Sequence, residues 1–472
     1  MQELLASYPD VVDSGHGWLG AVPSHWPCLP NRAVFREIVS QGHVDEKLLS
    51  VTIARGVIPQ AELLSSTSKK DSSNLDKSKY KLVEPGDVVY NKMRAWQGAI
   101  GLSLHRGIVS PAYIVQRLRA SGEPRFFHYL FRTPAFASEA ERWSYGITSD
   151  QWSLRPEHFK MIYSCVPPIE EQAAIVRYLD HLEHKVVGFI RAKLRLIEVL
   201  REQRSAIVSR AVTIGYEADG KFKPSGAEWL GDIPEHWSVS PLKYLSPHVT
   251  VGIVVQPAAL YEPVGIPCLR SLNISSGRVD PTDLVYISAE SNEAHSKSKL
   301  FDGDVVVVRT GQAGVAVVVP PEFDGANAID LLIVRAAPEI DSHYLALYLN
   351  SSVTRTQVRY MSVGAIQAHY NTATLANLLV AFPAIDEQRR TLRRVAKETG
   401  TIDAAIARAE REIELIREYQ RRLASDVVTG KVDVRGVALE LPIHDGAEML
   451  SVIEDAENLE GGALDEGHPV SA

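Results

Sequence analysis

The stretch Tyr90-Asn91-Lys92-Met93-Arg94-Ala95-Trp96-Gln97 places two side-chain amides, two cations and two aromatic rings directly after the apolar pair Val88-Val89. Asn, Gln, Lys and Arg carry the paired donors and acceptors that match base edges, and Lys, Arg, Ser and Thr neutralise phosphates. Tyr90, Asn91, Lys92, Arg94, Trp96 and Gln97 are therefore candidate nucleic-acid contacts. A second stretch, Tyr145-Gly146-Ile147-Thr148-Ser149-Asp150-Gln151-Trp152, adds Ser149, Asp150, Gln151 and Trp152. A third, Ser65 to Lys79, sets Lys69, Lys70, Lys77 and Lys79 among serines in a pattern suited to clamping phosphates. Each has a plainer alternative: a solvent-facing polar hairpin, ordinary loop variation, and a flexible solvated loop.

Reaction chemistry is not written into the same regions. A methyltransferase needs a Gly-rich strand-to-helix loop and an Asn/Asp-Pro-Pro-Tyr/Phe element beside a flipped base, and neither string occurs. A nuclease needs clustered carboxylates, but Asp87 is followed only by Asn91-Lys92 and its counterpart Asp304 only by Val308-Arg309. There is no phosphate loop ending in Gly-Lys-Ser/Thr and no His-Glu-x-x-His zinc helix, and His295 and His369 read as surface or core residues. No catalytic and no metal-ligating residue is assigned.

The elements that position the candidate segments occur twice. Trp18-Leu19-Gly20-Ala21-Val22-Pro23-Ser24-His25-Trp26 returns as Trp229-Leu230-Gly231-Asp232-Ile233-Pro234-Glu235-His236-Trp237, an offset of 211. Pro85-Gly86-Asp87-Val88-Val89 returns as Asp302-Gly303-Asp304-Val305-Val306 at 217, and His128-Tyr129-Leu130 as His343-Tyr344-Leu345 at 215. Val166-Pro167-Pro168-Ile169-Glu170-Glu171-Gln172 matches Phe382-Pro383-Ala384-Ile385-Asp386-Glu387-Gln388 at 216. Offsets this close to one another, all near 215, mark two copies of one structural unit. The repeat also supplies second-copy candidates: Arg309, Thr310 and Gln312 after the strand, and Gln367, His369, Tyr370 and Asn371 in the later loop.

Each copy has two parts. The first mixes short β-type apolar runs, such as Val305 to Val308, with Gly/Pro/Asn turns and short helical stretches such as Phe126 to Phe131. The second runs without proline for about 40 residues, with apolar residues at spacings of four and three. In the first copy these are Ile175, Leu179, Leu182, Val186, Phe189, Leu196, Leu200 and Ile207; in the second, Ile402, Ile406, Ala409, Ile413, Ile416, Leu423 and Val427. One such helix alone is equally consistent with an amphipathic core helix. Two of them, each after a globular part, favour pairing with each other in antiparallel fashion.

The expected class is α+β: two tandem domains separated by two long helices forming an antiparallel coiled coil. The segments are 1–29 (lead-in of copy 1), 30–168 (domain 1), 169–213 (helix 1), 214–240 (linker and lead-in of copy 2), 241–384 (domain 2), 385–430 (helix 2) and 431–472 (exit and acidic tail). Net charge is -8, but residues 440–472 carry nine acidic and no basic side chains, so 1–439 hold 50 basic and 49 acidic groups. The tail reads as disordered. No 18-residue apolar run and no signal-like N-terminus occur, and Cys28, Cys165 and Cys268 fit no disulfide or metal pattern, so a soluble cytoplasmic protein with reduced thiols is expected.

The Trp-Leu-Gly-x-x-Pro-x-His-Trp strings, the Pro-x-x-Glu-Gln helix starts and the exit Val428-Thr429-Gly430-Lys431-Val432-Asp433-Val434-Arg435-Gly436 together resemble the specificity subunits of type I restriction-modification systems, over residues 14 to 436. The first copy departs in ending Ala211-Val212-Thr213-Ile214-Gly215, and the acidic tail is additional. The resemblance implies a non-catalytic DNA-reading subunit whose two target recognition domains each read half of a bipartite site, while the helices set the spacer and dock methyltransferase subunits. It implies as partners double-stranded DNA, two methyltransferase subunits and motor-nuclease subunits. S-adenosylmethionine, ATP and Mg²⁺ would sit on those partners, with no cofactor on this chain. The alternative is a free-standing DNA-binding or architectural coiled-coil protein without enzyme partners.

Overall fold

The computed structural model describes residues 6–53, 56–65, 76–146, 152–217, 220–275, 277–361 and 370–443. These fall into two units, one drawn from 1–195 and 410–472, the other from 196–409. The mixed helix and strand content expected from the sequence is present in both. Among the described residues no helix is long and apolar enough to cross a membrane.

In the first unit the strands are β1 (Cys28–Pro30), β2 (Phe35–Ile38), β3 (Val88–Asn91), β4 (Ile100–Leu102) and β5 (Tyr113–Leu118), followed by helices α1 (Pro124–Phe131) and α2 (Pro134–Arg142), strand β6 (Tyr163–Cys165) and the long helix α3 (Ile169–Thr213). Four strands form an antiparallel sheet in the order β2-β5-β3-β4. Because strand side chains alternate, Val88 and Tyr90 enter one core with Phe126, Phe127 and Phe131, while Val89 and Val115 enter a second with Leu49, Val51 and Val83. A sheet covered on both faces needs apolar residues at successive positions, which is why Val88-Val89 carries no alternation.

The second unit holds β7 (Ser238–Pro241), β8 (His248–Val251), β9 (Val305–Val308), β10 (Ala316–Val318), β11 (Leu331–Arg335), helix α4 (Ser342–Leu349), β12 (Leu379–Phe382) and the long helix α5 (Ile385–Val428). Its sheet has the matching order β8-β11-β9-β10. Val305 and Val307 face the core under α4, and Val306 and Val308 the opposite one. Among the described residues, a further four-stranded sheet joining Tyr261–Glu262, Val285–Ile287, Ile266–Leu269 and Asn327–Ala328 is found in this unit and not in the first.

The repeated Asp of the Gly-Asp-Val-Val strings holds each sheet together. Asp87 and Asp304 are almost fully buried, and each accepts two bonds from an arginine of the next strand: Arg117 at 2.6 and 2.8 Å, Arg335 at 2.9 and 2.9 Å. The same carboxylates accept from Glu84 N and Phe301 N in the preceding turns, so this Asp is a turn and ion-pair residue.

The long helices pack within each unit. In the first, residues 169–195 of α3 lie beside 410–428 of α5, with Lys193 bound to Glu412 at 2.5 Å and Ile175, Leu179, Leu423 and Val427 sharing one core. In the second, 196–213 lie beside 385–409, with Arg204 bound to Asp403 at 2.7 Å and Val208, Ala211 and Val395 in contact. One part of the expected seam is corrected. Phe189 and Leu196 are exposed, and Ile190 and Ile197 are buried in their place. The buried set Ile175, Val186, Ile197 and Val208 recurs every 11 residues, or 3.67 per turn, so a strict heptad drifts off the buried face by one residue beyond Val186. In α5 the expected Ile402, Ala409, Ile413, Leu423 and Val427 are buried.

The remaining repeated strings meet at one joint in each unit. Glu171 and Glu387, buried in the first helical turn where a negative charge suits the helix N-terminus, accept from His25 (2.8 Å) and His236 (2.9 Å) of the Trp-bearing lead-ins. Gln172 donates to Pro167 O and accepts from Glu123 N; Gln388 donates to Pro383 O and accepts from Asp341 N, fixing the start of α1 and α4. Each helix then ends on a left-handed glycine: Gly215 (φ 66°) against the Trp237 ring, and Gly430 (φ 76°) against Pro23 and Trp26.

The cysteines are not all the reduced thiols that the sequence suggests. Cys28 and Cys165 face each other across the β1–β6 pair and are joined by a disulfide, and only Cys268 is a free, buried thiol. Their separation of 137 residues hides a contact that strand register creates.

Candidate nucleic-acid interface

The first candidate segment begins inside the fold. Tyr90 is fully buried in β3, stacked on Phe159 at 5.0 Å, so it is a core residue and not a surface contact, and its pKa is pushed well up by burial. Alternation puts its neighbour Asn91 at the sheet end, where Oδ1 accepts from Met93 N at 3.0 Å and turns the chain outward. Lys92 is half-buried, Arg94 and Gln97 are exposed, and Trp96 donates from Nε1 to Met93 O at 3.1 Å. The turn closes on Gly98 in the left-handed region.

The second segment comes to the same place. Trp152 meets Trp96 edge to face at 5.4 Å, a favourable aromatic geometry, and Leu154 N donates to Lys92 O at 2.8 Å. Between the two segments lies an open cleft of about 600 Å³, lined by Lys92, Met93, Tyr145, Arg155 and Glu157. Lys92 and Arg155 offer positive charge, and Tyr145 a ring that is 58% exposed. Ser149, Asp150 and Gln151 lie outside the described residues, as do Lys69 and Lys70. Arg155 is a cleft residue that the sequence motifs do not single out. The available signal was a cation one step before Pro156, which starts a short helix and so fixes the residue before it.

The second unit repeats the placement with other chemistry. Arg309 and Thr310 leave β9 and both bind Asp330, at 2.9 and 3.1 Å. Asp330 itself holds a left-handed backbone, φ 52°. Gln312 is exposed. Tyr370 is another correction: it is buried against Gly314, whose missing Cβ leaves room for the ring, and burial raises its pKa to about 12. Asn371 is exposed but committed as a helix cap, accepting from Thr374 N at 2.8 Å. Gln367 and His369 lie outside the described residues. Asp330, which organises Arg309 and Thr310, carried no sequence signal because its partners are some 20 residues away. Among the described residues no three His, Cys, Asp or Glu side chains converge as metal ligands would.

No family model matches the chain. Among curated proteins, the type I restriction enzyme MjaVIII specificity subunit of Methanocaldococcus jannaschii is 23% identical over 287 residues, 59% of this chain and 64% of that protein. The EcoBI specificity subunit of Escherichia coli is 28% identical over 281 residues, 57% and 58% of the two chains. This chain is similar to type I restriction enzyme specificity subunits. The alignments span less than two thirds of either relative's length. Among solved structures, a chain described under "Structural basis underlying complex assembly and conformational transition of the type I R-M system" superposes with a TM-score of 0.61 at 16% identity, covering 87% of this chain and 99% of that one. The likeness extends the shared fold over nearly the whole chain.

Proposed function

We propose that the chain is the non-catalytic DNA-sequence-recognition subunit of a type I restriction-modification enzyme. The observation that carries this reading is the duplicated frame: two sheets of one strand order, each presenting two convergent loops at the exit of the same strand, in a chain similar to named specificity subunits. Domains 30–168 and 241–384 each read one half of a split target. Their loops differ in side-chain chemistry because the two half-sites differ. In the first, Lys92, Arg94 and Arg155 supply phosphate and base-edge contacts beside the Trp96–Trp152 pair; in the second, Gln312 and the Arg309–Thr310–Asp330 cluster do so.

The helices α3 and α5 pair in antiparallel fashion as a coiled coil that sets the spacer between half-sites. Phe189, Leu415 and Tyr419 in the first unit, and Leu196 and Val199 in the second, are exposed apolar side chains on these helices. They suit docking of two methyltransferase subunits, which carry S-adenosylmethionine, while motor-nuclease subunits carry ATP and Mg²⁺.

The test exchanges residues 30–168 for the corresponding domain of another specificity subunit and maps methylated adenines with the partner subunits present. One half of the target should change and the other stay. Changes in both halves, or in neither, would sink the proposal.

A further inference from the structure

Strands β1 and β6 are the two ends of domain 1, one leading in and the other leading out to α3. Their only covalent tie is Cys28–Cys165, with Cα atoms 4.0 Å apart. Beside it, Ser164 donates to Asn31 Oδ1 at 2.8 Å, with both residues fully buried, and Val166 N donates to Pro27 O at 2.9 Å. The second unit builds the same joint from β7 and β12. There the register sets Val239 opposite Ala381, the very positions to which the repeat offsets of 211 and 216 carry Cys28 and Cys165. The two joints share their register, but the second has apolar Leu242 and Val380 where the first has the Asn31–Ser164 bond, and Val239 and Ala381 where the first has the cysteine pair, so only the first has a covalent option.

We propose that Cys28 and Cys165 are a reversible dithiol–disulfide clasp across the neck of the first domain, a modification site responsive to oxidants of the peroxide class. Cys28 is half-buried and Cys165 fully buried, so the oxidant reaches Cys28 first. The Cys28 thiolate attacks one peroxide oxygen, the O–O bond breaks, and after protonation the products are a sulfenic acid and water. The Cys165 sulfur then attacks the Cys28 sulfur, the S–S bond forms, the S–O bond breaks and a second water leaves. Overall two thiols lose two electrons and two protons to one hydrogen peroxide, which is reduced to two waters. A small-molecule thiol pair reverses the change by exchange, becoming a disulfide itself. Cys268 is a built-in control, because burial raises its thiol pKa to about 11 and removes its reactive thiolate.

Closing the neck joins residues 137 apart and restricts the unfolded chain of the first unit alone. The clasp goes beyond DNA reading and does not depend on it, so its test uses stability. The full chain is reduced, treated with stoichiometric hydrogen peroxide, blocked at remaining thiols and mapped by non-reducing peptide mass spectrometry. The expected result is one cross-linked peptide pair, Cys28 with Cys165, and free Cys268. Hydrogen exchange should then slow in β1 and β6 on oxidation and stay unchanged in β7 and β12. The variant Cys28→Val/Cys165→Ala, which installs the pair found in the second unit, should match the reduced protein and ignore peroxide. Absence of the cross-link after peroxide treatment, or equal exchange in β1 and β6 before and after cross-linking, would overturn the proposal.

Discussion

Glu171 and Glu387 occupy the same place in the two units, each accepting from the histidine of a lead-in, yet their second partners differ. Glu171 also accepts from Tyr8 at 2.5 Å, and Arg435 stands 3.8 Å away, so residues near both ends of the described chain are gathered onto the first turn of α3. Glu387 takes the Trp237 indole instead, at 3.0 Å. A buried carboxylate needs its acceptor sites filled, and either set does so. At the exposed loops no such common need exists: Lys92, Met93, Arg94 and Ala95 in one unit stand where Arg309, Thr310, Gly311 and Gln312 stand in the other. The comparison separates what the frame requires twice from what each surface is free to vary.

Adding one methyl group to the helix-ending glycines should break the equivalence of the joints most severely. Gly430→Ala places Cβ 2.3 Å from Pro23 Cδ, and Gly215→Ala places it 2.6 Å from the Trp237 ring, both at left-handed φ. Each should cost about 3 to 5 kcal/mol in denaturant unfolding, combining overpacking with backbone strain. A loss in only one of them would show that the two joints are not built alike.

Removing the shared carboxylate comes next. Glu387→Ala strands the buried Trp237 indole, and Glu171→Ala strands Tyr8, so each should lose about 2 to 3 kcal/mol. Tyr8→Phe should be mild by itself and should weaken the effect of Glu171→Ala, while leaving Glu387→Ala unaltered in a double-mutant cycle.

Acid should discriminate between the units more gently. His128 sits against Arg132 and Arg125, with Nδ1 accepting from Leu102 N at 3.2 Å, and burial pulls its pKa down to about 3. A histidine held neutral in the fold but titrating at about 6.5 when unfolded contributes stability that is complete above pH 6.5 and is lost as pH falls toward 3. Between pH 7 and 5 the first unit should lose about 1 to 2 kcal/mol from this group, read as faster hydrogen exchange in β4 and α1. Its counterpart His343 is exposed. His128→Gln should flatten the dependence; an unchanged acid response would assign it elsewhere.

The smallest effects belong to the loops. With partner subunits present, Lys92→Ala and Arg155→Ala should each weaken DNA binding by about 1 kcal/mol and lower the salt dependence by about one ion. Arg309→Ala should do less, because Asp330 already holds its guanidinium. Equal losses at Arg309 and Lys92 would mean that Asp330 releases Arg309 on binding.

Much of the frame was readable in advance, since an apolar period over 40 residues, a proline before a Glu-Gln step and a duplicated Trp string are local signals. They place the long helices, which run Ile169–Thr213 and Ile385–Val428, and the mixed α and β character of the parts between. The loops that share a surface were legible only as composition: Lys92, Arg94 and Gln97 lie outside the core, but Tyr90 and Tyr370 are inside it. The residue type does not say that both faces of the Tyr90 strand are buried, nor that Tyr370 packs onto Gly314 from a distant segment.

What tertiary structure alone decided are relations between distant residues. Trp96 meets Trp152, Arg309 meets Asp330, and Cys28 meets Cys165, because strand register and loop packing bring together positions that no local pattern connects. The helix seam shows the same division on a finer scale. Residue types alone mark α3 as a long amphipathic helix, but whether Phe189 or Ile190 is buried depends on the actual twist per residue against a packed neighbour, and there a difference between 3.5 and 3.67 residues per turn moves the buried position by one.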